Sequence, residues 1–239
     1  LGAISERRRI KKQMHSIHAD VDSAFESMNV KSAAVIVAHP DDETLWTGGT
    51  ILMHPDINWT IITLCRKSDP DRAPRFFKAM ERLNAIGTMG DLDDGPEQIP
   101  LSQQEIKETL LSLLPQGALF DLILTHSPCG EYTRHRRHEE IGSAAQSLWL
   151  NDRLKTQSLW LFAYEDGHRS YLPKAMKTAH LHNLLSQDIL KEKYRIITDI
   201  YGFAPQSYEA QTTPREEAFF CFSTKQDLTQ WLDQGGNKL

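Results

Sequence analysis

The chain has 239 residues, of which 40% are hydrophobic, a formal net charge of −5 and three cysteines. That length can bury a sizeable core, and no Pro/Gly/Ser-rich linker divides it, so a single domain over residues 1–239 is expected. The charge gives no general reason for nucleic-acid binding. No run approaches the roughly 20 apolar residues of a membrane span, and unpaired cysteines behind a polar start (Ser5 to Lys12) predict a cytoplasmic protein in a reducing compartment.

In chain order, residues 5–28 read as an opening helix and Ala33 to Ala38, AAVIVA, as a short buried strand. His39-Pro40-Asp41-Asp42-Glu43 follows at once. An imidazole and three carboxylates thus arrive at the carboxyl end of a strand, the edge where open α/β sheets bind ligands. Pro40 suits a turn or first helical position, and the acids after it suit the positive end of a helix. His39 and Asp42 can converge on one cation, with Asp41 between them free for proton transfer. Gly48-Gly49 lacks both GxGxxG spacing and a Walker lysine, which excludes a nucleotide cradle.

A second strand is predicted over 59–65, a helix over 72–86 with Phe76, Phe77, Met80 and Leu83 on one side, and an Asp- and Gly-rich loop over 87–101. A helix near 103–114 and a strand over 121–126 precede a second cluster, Gly130-Glu131-Tyr132-Thr133-Arg134-His135-Arg136-Arg137-His138, which runs into a helix from about 136. A strand at 158–164 leads to the C-terminal portion, 174–239. There 174–201 reads as helical, 218–222 as a strand and 225–232 as a closing helix. The alternation predicts an α/β fold, Rossmann-like, with a mostly parallel sheet and helices on both faces.

AHPDDE at 38–43, the strand-end Thr125-His126, and the GEY and HxxH elements after it resemble the LmbE-like, or PIG-L, family of zinc-dependent N-deacetylases over roughly residues 33–165. The resemblance implies removal of an N-acetyl group from an amino sugar such as N-acetylglucosamine, or its conjugate. It implies that His39, Asp42 and His138 bind the metal and that Asp41 is the general base. His135, as a cation, would stabilise or protonate the tetrahedral intermediate, Tyr132 would polarise the carbonyl, and Arg75 and Asp94 would bind substrate. Two imidazoles and a carboxylate leave an open position on zinc, and Fe2+ or another divalent ion suits the same donors. His126 reads as a hydrogen-bonded neighbour of the ligands, and Trp46 as a sugar-stacking candidate.

The sequence departs from the family pattern at Arg136 and Arg137, which stand where a proline and an aspartate are usual, and at Lys78, which replaces an acid. These cations suit either an anionic group on the substrate or, for the arginines, a solvated surface turn at the helix start. Two rivals stand beside the deacetylase: a catalytically silent sugar-binding protein, and a metal-dependent hydrolase of a non-sugar amide or phosphoester. A small N-acetylated partner is expected, with no nucleic acid and no membrane span, and homo-oligomerisation is left open.

Overall fold

The computed structural model describes residues 20–236. The expected helix over 5–28 is described only as α1 (Val21–Met28); the rest of it, including the basic cluster at 7–12, lies outside the described residues. Asp20 opens α1 by accepting the Ser23 amide at 2.7 Å. Then β1 (Ser32–Val37), α2 (Asp42–Met53), β2 (Asn58–Cys65), α3 (Arg72–Leu83), β3 (Ala85–Leu92), α4 (Gln103–Leu113), β4 (Phe120–Thr125), α5 (Arg136–Leu150) and β5 (Thr156–Phe162) alternate. A hairpin of β6 (Tyr164–Glu165) and β7 (Lys174–Ala175) follows, then β8 (Leu181–Leu184) and α6 (Gln187–Arg195), which runs into a π-helical turn (Ile196–Ile200). Helix α7 (Tyr208–Thr212), β9 (Glu216–Phe222) and α8 (Lys225–Asp233) complete the order.

The main sheet runs β3-β2-β1-β4-β5-β9-β8. The first five strands are parallel; β9 and β8 join antiparallel. The chain moves outward from β1 to β3 on one side and then crosses to β4 on the other, which opens a crevice at the carboxyl ends of β1 and β4. Period-two alternation explains why β1 is apolar throughout. Ala33, Val35 and Val37 face one core with Trp46, Ile61 and Phe76, while Ala34, Ile36 and Ala38 face another with Ile106, Ile141 and Leu148.

Two expectations are corrected. Residues 85–92 form β3 and not a loop. It is an edge strand broken by Gly87 and Gly90, Ile86 is 70% exposed, and Gly87 leaves room for Phe76 and Met80, each 2.6 Å from where a Cβ would stand. The stretch 174–201 is not one helix, because it contains β7, β8, α6 and the π-helical turn. The four residues of β8 are too few for their alternation to stand out beside a helical pattern.

Helix α2 is anchored by the antiparallel strand β9. Glu217 on β9 accepts the Gly49 and Thr50 amides and the Thr50 hydroxyl, each at 2.7 Å, and pairs with the buried Lys193 Nζ at 2.7 Å. Gly49 permits the approach: a Cβ there would stand 2.4 Å from Leu185. The glycine pair is thus a packing feature.

Candidate metal centre and active site

The two strand ends deliver the chemistry. After β1 the chain turns at Pro40, and Asp41 caps α2 with its carbonyl, accepting the Thr44 and Leu45 amides at 2.9 and 2.8 Å. Its φ of 139° is strained for a residue other than glycine. Glu43 holds it there, accepting the Asp41 amide at 3.1 Å while receiving hydrogen bonds from Thr44 and the Tyr201 hydroxyl.

His39 Nδ1, Asp42 Oδ2 and His138 Nε2 form a triangle with edges of 3.2, 3.2 and 3.3 Å. The far side of each imidazole faces a carboxylate: His39 Nε2 lies 3.1 Å from Asp94 Oδ1, and His138 Nδ1 lies 2.6 Å from Glu131 Oε2. With the N–H groups on those sides, two lone pairs and a carboxylate oxygen would converge, an arrangement that a bound cation or a shared proton satisfies. Tetrahedral bonds of about 2.0–2.1 Å place donor atoms about 3.3 Å apart, so these residues fit a divalent metal. Asp42 is oriented by Trp46 Nε1, which donates to its other oxygen at 3.1 Å, and by the His39 amide at 2.8 Å.

Titration expresses the same demand for positive charge. Burial alone would lower the His39 pKa, but hydrogen bonds to Asp42 and Asp94 outweigh it and raise it to about 9. Burial likewise opposes ionisation of Asp42, yet His138, His126 and His39 hold its carboxyl well below the usual range.

A second trio, Asp42, His126 and His138, also brings its donor atoms within 4.8 Å of one another, all buried. His126, however, has both nitrogens engaged: Nε2 accepts the Ala38 amide at 2.9 Å, and Nδ1 lies 2.9 Å from Glu131 Oε2. It serves the centre by fixing Glu131, which in turn sets the His138 tautomer.

A cavity of about 250 Å³ opens beside these atoms, with Asp41, Arg66, Arg72, Tyr132, His135 and Tyr208 in its wall. Burial, and the neighbouring Asp42, raise the Asp41 carboxyl well above its ordinary pKa. Arg72 lies 3.9 Å from Asp41 Oδ2. The His135 ring stands 4.7 Å from that of His39 and 4.3 Å from that of His138. Burial and those two imidazoles push its pKa down to about 2, which opposes the cationic form expected of it. Burial also pushes the Tyr132 phenol up, which keeps its proton in place.

Other expected residues are placed differently. Arg75 is absent from the cavity wall; it donates to Asp71 at 2.8 Å and to the Tyr201 carbonyl at 2.9 Å, and the wall instead takes Arg72, from the first turn of α3. Asp94 does line the cavity, but its carboxylate is engaged by His39, Arg66 and Gln98. Trp46 is fully buried and orients Asp42, so it offers no face to a sugar. Arg137 is also fully buried, donating to the carbonyls of Asp93 and Ile99 and pairing with Glu140. Arg136 and Lys78 are exposed outside the cavity wall. These three cations therefore give no argument for an anionic substrate.

Glu131, Arg66, Arg72 and Tyr208 received no role from the sequence. Arg66 did carry a signal, since it directly follows β2 at the ligand-binding edge. Arg72 and Tyr208 carried none.

No family model matches the sequence. An uncharacterized protein of Acanthamoeba polyphaga mimivirus is 26% identical over 181 residues, covering 68% of this chain and 75% of that protein. Among solved structures, N,N'-diacetylchitobiose deacetylase from Pyrococcus horikoshii aligns with a TM-score of 0.61 at 14% identity, over 87% of this chain and 95% of that one. A deacetylase of the teicoplanin biosynthetic pathway gives 0.57 at 12% identity, over 81% and 98%. GalB, the 4-carboxy-2-hydroxymuconate hydratase of Pseudomonas putida, gives 0.51 at 16% identity, over 77% and 83%. These likenesses establish the fold, a mostly parallel α/β sheet of the LmbE-like kind.

Proposed function

We propose that this chain, built on the LmbE-like fold shared with those deacetylases, is a metal-dependent N-deacetylase that hydrolyses the acetamide of an amino sugar or its conjugate. One observation carries the reading: His39 Nδ1, Asp42 Oδ2 and His138 Nε2 converge at metal-ligand spacing with the Asp41 carboxyl beside them in the same cavity.

His39, Asp42 and His138 would hold a divalent ion, zinc or iron(II), which when bound would lower the pKa of a water and polarise the amide carbonyl. Asp41, whose carboxyl lines the same cavity, takes the proton from the attacking water. As the carbon–oxygen bond forms, Tyr132 and His135 donate hydrogen bonds to the carbonyl oxygen, where negative charge develops. The protonated Asp41 then passes its proton to the nitrogen as the carbon–nitrogen bond breaks. Arg72 positions Asp41 throughout.

A second reading rests on the hydratase of the same fold: a site that activates water can also add it across a carbon–carbon double bond. Assays of acetate and free amine from a panel of N-acetylated sugars, with and without chelator, separate the two. Chelator-sensitive acetate release supports deacetylation. Its absence from every substrate, with metal bound, overturns it.

A further inference from the structure

Tyr132 and Tyr208 are shared walls, lining both the 250 Å³ cavity and a second cavity of about 590 Å³. The second chamber differs in character. Tyr171, Leu172 and Tyr208, each about 40% exposed, are among the few large hydrophobic side chains of the described residues left open to solvent, and all three border it. Exposed apolar surface gathered in a concavity is a mark of a binding surface.

The charged groups around it favour an anion. Arg134 has 80% of its side chain exposed and only a long 3.5 Å approach to Glu139. Arg169 is fixed by donating from Nε to the Thr133 carbonyl at 2.7 Å. The acid in this wall, Asp166, is 3% exposed and accepts both the Thr133 amide and hydroxyl, at 2.8 and 2.7 Å. Glu165 accepts the Tyr171 hydroxyl at 2.7 Å and lies 3.8 Å from Lys174. Both carboxylates thus have partners within the protein, whereas the two guanidiniums keep donors for a ligand.

The wall is also built to hold its shape. Gly167, at φ 55°, lets the Tyr171 ring lie where a Cβ would be 2.4 Å away, and Lys174 Nζ stands 3.7 Å above that ring.

We propose that this second chamber is a subsite for the remainder of the substrate, an apolar or aromatic group bearing a carboxylate or phosphate, with Arg134 and Arg169 receiving the anion. The proposal rests on the deacetylase reading for what occupies the first cavity. Its location departs from the anion contact expected at Arg136 and Arg137.

The test is equilibrium binding of deacetylated probes, so that it does not depend on turnover: methyl, phenyl, 4-carboxyphenyl and 4-phosphophenyl glycosides of glucosamine. Phenyl is expected to bind more tightly than methyl, and the anionic probes about tenfold more tightly again, as for a charge-assisted pair. The two anionic arms identify which anion is preferred. That tenfold gain should vanish in Arg134→Ala with Arg169→Ala and shrink at high salt. Arg134→Glu, at an exposed position, repeats the test without disturbing the fold. Equal affinity for all four probes, or an anion preference that survives loss of both arginines, overturns the subsite. The acetylated forms of the same probes test the first cavity separately: no acetate release with intact probe preference sinks the deacetylase reading and supports the subsite.

Discussion

The Glu131 carboxylate accepts the Nδ1–H of His138 at 2.6 Å and, through the same oxygen, that of His126 at 2.9 Å. It is fully buried, and although burial opposes ionisation, His126 and His138 lower its pKa to about 2. One acid therefore sets two tautomers. Glu131→Gln is expected to weaken metal affinity about 10- to 100-fold, the usual effect of losing such a partner, as measured by competition with a chromogenic chelator. Unchanged affinity would remove Glu131 from any role in holding His138.

The two histidine trios make different predictions. His39→Ala and His138→Ala should each leave the protein depleted of metal by elemental analysis. His126→Gln should retain it, because His126 already spends both nitrogens on Ala38 and Glu131. Full metal in His39→Ala, with loss in His126→Gln, would exchange the ligand sets.

Asp41→Asn should bind metal normally and lose about 10²- to 10⁴-fold in kcat, since the amide keeps the shape but accepts no proton. Stopped-flow assay and metal analysis on one sample check both halves. Wild-type turnover would remove Asp41 as the base.

Metal uptake should release protons. In the metal-free protein His39, raised to about 9, is protonated at pH 7, so a metal must displace that proton, and affinity climbs with pH toward about 9. The sign reverses for the metal-free fold: its stabilisation by the His39 proton is full below the ordinary value of 6.5 and is lost as pH rises through about 9. Calorimetry in buffers of different ionisation enthalpy counts the protons. A count of zero at pH 7 contradicts the assignment.

Lys193→Met should destabilise the protein by about 3–5 kcal/mol, because it leaves the buried Glu217 charge without its cation. Denaturant unfolding measures this. Replacing Lys193 and Glu217 together by Met and Gln should recover part of the loss, and strict additivity of the two single changes would deny the coupling.

Legibility in the sequence followed locality. The β1 end could be read because strand, turn, imidazole and carboxylates occupy one short segment, and the α5 start because its histidines follow a strand in the same way. Arg72 and Arg75 sit three residues apart on one helix, and which of them faces the cavity depends on how α3 is rotated: Arg72 lies over the Phe203 ring, and Arg75 is drawn to the Tyr201 carbonyl. Both contacts come from a part of the chain more than 100 positions away. Arg137 read as a substrate contact or a surface cation because its partners, the Asp93 and Ile99 carbonyls, belong to a loop with no pattern of its own. Asp94 looked free for a substrate for the same reason, its Arg66 and His39 partners being brought to it by β2 and β1.

His39 and His138 are 99 positions apart, on either side of the point where the strand order reverses. No contiguous fragment ending before α5 can therefore assemble the trio. During synthesis, the chain must emerge past His138 and pair β4 with β1 before His39, Asp42 and His138 can meet, so under the proposed ligand set a metal would load only late in the protein's maturation. A cation that then joins these positions also ties together the two halves of the sheet, and its removal reopens a long loop as well as disabling the site.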